Sequence, residues 1–186
     1  MKNVLVLLAP GFEEVEALTI VDLLRRAKIN ITTASISELH VTGSHNVTIH
    51  ADTLLKNINE SDYDMIVLPG GPGTKNLRDS DEVLSLVKKF NQNKRWVAAI
   101  CAAPTVLNKA GILKDKLVTS FPSEKDVFTD SKYVTDSVVV DENIVTSRAL
   151  GTAIDFSLEL IKLLIDSKNA REIKERIVYK SGNQTK

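Results

Sequence analysis

The sequence predicts an α/β protein with a mostly parallel sheet covered by helices on both faces. Short apolar runs recur at Asn3–Ala9, Met65–Leu68 and Trp96–Ile100, each too brief for a helix and apolar on successive residues. Amphipathic stretches of helical spacing stand between such runs, which is the alternation that parallel sheets require. Each apolar run also ends in a loop rich in Gly, Pro or small residues, where a sheet of this kind places its ligands.

In order, Asn3–Ala9 reads as a buried strand and Glu13–Ala27 as an amphipathic helix. Ile29–Ser35 is a second strand. From about His40 to His50 the Val, Thr and Ile content fits extended or hairpin structure around Gly43. Met65–Leu68 is a strand ending in Pro69-Gly70-Gly71-Pro72-Gly73, followed by a helix from about Asp81 to Asn91. Trp96–Ile100 is a strand. Pro104 fits the first turn of the next helix, which runs to about Ala110 and stops at Gly111. Val118–Ser120, Ser137–Val140 and Ile144–Ser147 read as strands, the last two joined by the turn Asp141-Glu142-Asn143. Helices at Thr152–Leu164 and, more charged, at about Ala170–Tyr179 close the chain. No repeat or linker composition marks a boundary, so residues 1–186 are expected to form one domain.

Composition excludes several function classes. Net charge is zero with no basic stripe, which argues against nucleic acid as a partner. The single cysteine forbids an internal disulfide, and without a Cys/His cluster no metal site is expected. The run Val4–Ala9 is too short to cross a membrane and lacks a signal-peptide cleavage pattern, so a cytoplasmic protein is expected.

Two side chains carry the chemistry. Cys101 stands where the Trp96–Ile100 strand gives way to a helix, near free backbone N–H groups and a positive helix end. Both favour the thiolate, so its pKa is expected well below that of a free cysteine. Free cysteine is also often a plain core residue; the strand-to-helix junction favours function. Glu16 shares the apolar face of its helix with Ile20, Leu23, Leu24 and Ala27. There it either finds a partner and takes up a proton, or lies near enough the helix end to reach water. Glu13 and Glu14 are explained by the helix dipole. Gly70-Gly71 can offer backbone N–H donors, although the segment alone also suits an ordinary turn. The loops Pro10–Glu16, Pro69–Thr74 and Cys101 are expected to meet in one cleft.

Four motifs, Gly11-Phe-Glu-Glu-Val-Glu16, Val67-Leu-Pro-Gly-Gly71, Ala98-Ala-Ile-Cys-Ala-Ala-Pro104 and Thr146-Ser-Arg148 followed by Gly151-Thr152, resemble the ThiJ/PfpI superfamily. Within it they are most similar to the parkinsonism-associated protein deglycase family and its bacterial YajL-type branch, in order from about Lys2 to Leu164. The resemblance implies a flavodoxin-like three-layer sandwich that forms a homodimer. It implies Cys101 as reactive thiol at a strained elbow, Glu16 as the protonated carboxyl bonded to it, and Gly71 and Ala102 as oxyanion-type N–H donors.

The sequence departs from that pattern in three places. No histidine follows Cys101; Lys132-Tyr133 stands where many relatives have His-Tyr. His45 stands where relatives often carry an arginine reaching toward the partner's site; the default reading is an exposed surface histidine, and a contribution across the dimer is the alternative. Ala149-Leu150 replaces a common Gly-Pro. The implied activity is that of a deglycase or glyoxalase acting on methylglyoxal, glyoxal or their early protein adducts, with no metal or organic cofactor. The alternatives are a non-enzymatic oxidative-stress sensor or chaperone using an oxidisable Cys101, and an amidase or peptidase, against which the missing histidine counts.

Overall fold

A computed structural model describes residues 1–180. The elements run β1 (Asn3–Leu8), α1 (Glu14–Arg26), β2 (Asn30–Ser35), β3 (His40–Thr42), β4 (Thr48–His50), β5 (Thr53–Leu54), β6 (Met65–Leu68), α2 (Thr74–Arg78) and α3 (Asp81–Gln92). They continue with β7 (Trp96–Ile100), α4 (Pro104–Lys109), β8 (Leu117–Val118), β9 (Lys132–Tyr133), β10 (Val138–Asp141), β11 (Ile144–Ser147), α5 (Ala153–Leu164) and α6 (Ser167–Arg176).

The main sheet has the order β10-β11-β7-β6-β1-β2-β5. Every neighbouring pair is parallel except β10 with β11, which are joined by the tight turn read from the sequence. Alternation along the central strands explains the two helical layers. Leu5 and Leu7 pack with Val87, Phe90 and Leu107 on one face. Val4 and Val6 pack with Ile20, Leu24 and Phe156 on the other. All four strand residues are fully buried, so the run is apolar on every residue rather than on alternate ones. Helices α3 and α4 therefore cover one face and α1 and α5 the other, with α6 added through the buried Ile173. This is the flavodoxin-like sandwich expected.

Several short elements differ from the sequence reading. The expected strand Val118–Ser120 is only Leu117–Val118, and it pairs with β9 outside the main sheet. Thr119 donates its N–H to Thr146 Oγ1 at 3.0 Å instead of to a ladder. Helix α2 and edge strand β5 were not anticipated, because elements of five and two residues show no period to detect. The His40–His50 region is a hairpin with Val41 opposite Ile49, and it packs by Val41 against Phe12 and Ala17 rather than joining the sheet.

The order β7-β6-β1 makes these three strands neighbours at the centre of the sheet. Their carboxyl-end loops carry Cys101, Gly70-Gly71 and Pro10–Glu13. Convergence of the three loops follows from topology alone.

Candidate functional site

Cys101 is the first residue after β7, with φ at 65°, in the left-handed region that non-glycine residues rarely occupy. Its neighbours hold it there. The Cys101 N–H donates to the Ser147 carbonyl at 3.0 Å, and the Cys101 carbonyl accepts from the Phe121 N–H at 2.8 Å. The chain then turns at once into α4, whose first residue is Pro104. The thiol is half-buried, and the N–H groups of Gly71 and Ala102 act on it in favour of the thiolate.

Glu16 lies in the first turn of α1 and is 1% exposed, so of the two readings the buried one applies. Its Oε2 accepts from the Gly70 N–H at 2.9 Å. Its Oε1 is buried and completes no hydrogen bond, although the Cys101 thiol and the Leu150 N–H act on the carboxyl from nearby, and a carboxyl oxygen in that position is where a proton belongs. The side chains of Glu16 and Cys101 interact directly. Glycine at position 70 is obligatory: a Cβ there would stand 2.5 Å from Cys101 Cβ and 2.7 Å from Glu16 Oε2. Gly71, with φ at 90°, supplies the turn that presents its N–H to the sulfur.

Burial pushes the Glu16 carboxyl up to about 7, against the opposing hydrogen bonds from Cys101 and Gly70. Burial, and then the charge on Glu16, push the Cys101 thiol up to about 12, against the Gly71 and Ala102 N–H groups. The low thiol pKa expected from sequence considered the helix end and the N–H groups but not a buried carboxylate beside the sulfur. The two groups behave as one unit that loses a first proton near 7 and keeps the second to high pH. In between, the pair carries one negative charge, resting on the Glu16 carboxylate, and passing the thiol proton to that carboxylate moves it. With the proton on Glu16 Oε1 the charge resides on sulfur, facing two N–H donors.

The structure brings Cys101, Glu16, Gly71 and Ala102 together, and holds His45 apart from them. His45 lies at the hairpin tip with its side chain 74% exposed. Its ring Nδ1 lies 2.9 Å from Ser44 Oγ and 3.2 Å from Glu14 Oε2. Glu13, Glu14 and His45 offer ligand atoms within 4.8 Å of one another. Both Glu14 oxygens are nonetheless engaged, Oε1 by the N–H groups of His45 at 2.6 Å and Val47 at 3.4 Å, and Oε2 by Ser44 Oγ at 3.1 Å.

Glu14 is thus more than a dipole complement; it anchors the hairpin to α1. Burial would raise its carboxyl, but the surrounding N–H groups and the His45 ring outweigh it and hold the group at about 2. A folded-state pKa below the unfolded value means stability that is present above about pH 4.5 and lost as pH falls toward 2. Glu14→Gln is expected to lower stability by about 1–3 kcal/mol at pH 7, with a smaller difference at pH 2 to 3. Thermal melts at both pH values check this, and an equal loss at both would sink it.

The positions that depart from the resemblance also have defined places. Tyr133 Oη donates to the Ser120 carbonyl at 3.3 Å, next to the Phe121 that braces Cys101. Lys132-Tyr133 therefore supports the elbow from outside. The Leu150 N–H acts on the Glu16 carboxyl, a donor that proline at this position would lack. Thr152 Oγ1 accepts from the N–H groups of Arg148 and Ala149, at 3.2 and 3.1 Å. Among the described residues no helix is long and apolar enough to cross a membrane.

The sequence profile described as the DJ-1/PfpI family matches residues 2–163. The chain belongs to that family. Protein DJ-1alpha of Drosophila melanogaster is 40% identical over 183 residues, which are 96% of this chain and 84% of that protein. A Caenorhabditis elegans relative named glutathione-independent glyoxalase DJR-1.2 is 34% identical over 166 residues, 88% of this chain and 89% of that one. The crystal structure of Drosophila melanogaster DJ-1beta superposes with a TM-score of 0.93 at 39% identity, covering 97% of this chain and 99% of that chain. The DJ-1/PfpI assignment agrees with the resemblance read from the motifs, and the DJ-1beta structure shares the fold over nearly the whole length.

Proposed function

We propose that this DJ-1/PfpI member is a thiol-dependent enzyme of glyoxalase or deglycase type, acting on α-oxoaldehydes or their early protein adducts. The observation that carries the reading is the buried Glu16 carboxyl, orphaned at Oε1, beside a thiol on a strained elbow. A relative named as a glutathione-independent glyoxalase supports it.

The sulfur attacks the aldehyde carbon of methylglyoxal, and the new oxyanion takes hydrogen bonds from the Gly71 and Ala102 N–H groups. Glu16, protonated when the sulfur attacks, gives its proton to that oxyanion. The carboxylate so formed takes the hydrogen on the same carbon as a proton and returns it to the neighbouring carbon while the hydroxyl proton passes to the neighbouring oxygen, converting the hemithioacetal to a thioester with an adjacent alcohol. Water then cleaves the thioester, giving lactate and restoring the thiol. No external oxidant is needed, because one carbon is oxidised as its neighbour is reduced. The pair enters this cycle after losing its first proton, so turnover is expected to rise with pH through about 7. The test is lactate release from methylglyoxal and amine release from a glycated peptide; inertness toward both would favour the oxidative-stress sensor.

The same reading includes a homodimer acting in the cytoplasm. Of the apolar residues on the outer side of α1, Val21 is buried, whereas Val15 and Leu18 are 47% and 40% exposed. Helix α6 packs on α5 and leaves both uncovered. Light scattering at micromolar concentration is expected to report about twice the 20.5 kDa chain mass, and a monomer would remove any role for His45 across the dimer.

A further inference from the structure

We propose that the small cleft beside the two sulfur-facing N–H groups is a carboxylate subsite anchored by Arg78, so that preferred substrates carry one carboxylate on the arm attached to the reacting dicarbonyl. This names a substrate class for the thiol-dependent reading above and rests on it. The cleft has a volume of about 190 Å³ and is lined by Gly71, Thr74, Lys75, Arg78, Ala102 and Glu124, among others. Gly71 and Ala102 are the residues whose N–H groups act on the Cys101 sulfur, so the cleft opens directly beside the reacting centre.

The guanidinium reaches toward that centre. Arg78 Nη1 donates to Thr105 Oγ1 at 3.5 Å, and Thr105 Oγ1 donates to the Ala102 carbonyl at 2.7 Å. One hydroxyl thus separates the Arg78 head group from the residue that follows Cys101. Among the described residues Arg78 makes no ion pair, whereas the other cation of the cleft, Lys75, is held by Asp79 at 2.8 Å. Thr74 is 3% exposed, and its hydroxyl has no hydrogen-bond partner. Asp79 acts on Arg78 only through longer-range charge, so a partly buried guanidinium with no ion pair and a buried hydroxyl with no partner both line the cleft in want of an oxygen ligand. Glu124 also lines the cleft, where its charge opposes an anion and does so more strongly for a dianion than for a carboxylate.

Alkylation of Cys101 tests the subsite without turnover, and so separately from the proposed reaction. Iodoacetate and iodoacetamide deliver similar electrophiles and differ in charge. Arg78→Gln is expected to slow alkylation by iodoacetate about tenfold while leaving iodoacetamide within about twofold, as loss of a charge-assisted hydrogen bond would. Arg78→Lys should retain most of the iodoacetate rate, and Glu124→Gln should raise it. With substrates, Arg78→Gln should raise KM for 4,5-dioxopentanoate, a methylglyoxal bearing a carboxylate arm, several-fold more than it changes KM for methylglyoxal. Parallel changes for the charged and neutral reagents, or no change with either, would overturn the subsite. Absence of turnover with normal charge discrimination would instead overturn the proposed reaction and leave the cleft's preference standing.

Discussion

Cys101→Ser is expected to lower lactate release from methylglyoxal by at least about 1,000-fold. The change removes one sulfur atom from a position whose backbone is fixed from both sides. Ser147 and Phe121 hold the elbow by its N–H and its carbonyl, and serine can keep both contacts. Gly71 and Ala102 would still present their N–H groups, and Glu16 would still accept from Gly70. Only the nucleophile changes. A serine hydroxyl in the same half-buried place is far less acidic than a thiol, and the Glu16 carboxyl beside it, at about 7, is too weak a base to generate an alkoxide. A loss below about tenfold in steady-state turnover would show that Cys101 is not the attacking group.

The sheet was legible because β6, β7 and, from Val4 on, β1 are short runs apolar on every residue, and such runs fit strands buried on both faces. Glu16 was legible from its spacing to Ile20 and Ala27, since a carboxyl on an apolar face stands out against its neighbours. What the sequence could not give was its distance from the sulfur. Position 16 and position 101 meet only because β1 and β7 flank β6, an order that no local pattern encodes. That ordering also explains the mistaken thiol pKa, which was argued from local backbone while the largest opposing charge came from a remote helix. Glu14 was misread for a related reason. Its N–H partners come from a hairpin tip some thirty residues away, so the first-turn position suggested only a dipole effect. Arg78 gave no signal, because α2 is too short to show which side faces the cleft.

Glu16→Gln should separate the two halves of the mechanism. Glutamine keeps the shape and can still accept from the Gly70 N–H, but it cannot carry a proton between two carbons of an intermediate. Turnover is expected to fall about 100- to 10,000-fold, the range associated with loss of a general acid–base group. Alkylation of Cys101 by iodoacetamide should persist, because the sulfur and its two N–H donors remain. Stability should move the opposite way. An acid whose folded pKa is raised from 4.5 to about 7 binds its proton more tightly when folded, so its contribution to stability falls as pH rises through that interval. Above pH 7 the folded chain carries a buried negative charge that glutamine would remove. Glu16→Gln is therefore expected to melt higher than the parent at pH 8, by about 1–3 kcal/mol or ~2–10 °C, and to show little gain at pH 4. Glu13→Ala and Glu14→Ala should reproduce neither the turnover loss nor the pH-dependent gain. If Glu16→Gln kept full turnover, or if it were destabilised equally at pH 4 and pH 8, Glu16 would be a packing residue and the proton relay would have to be abandoned.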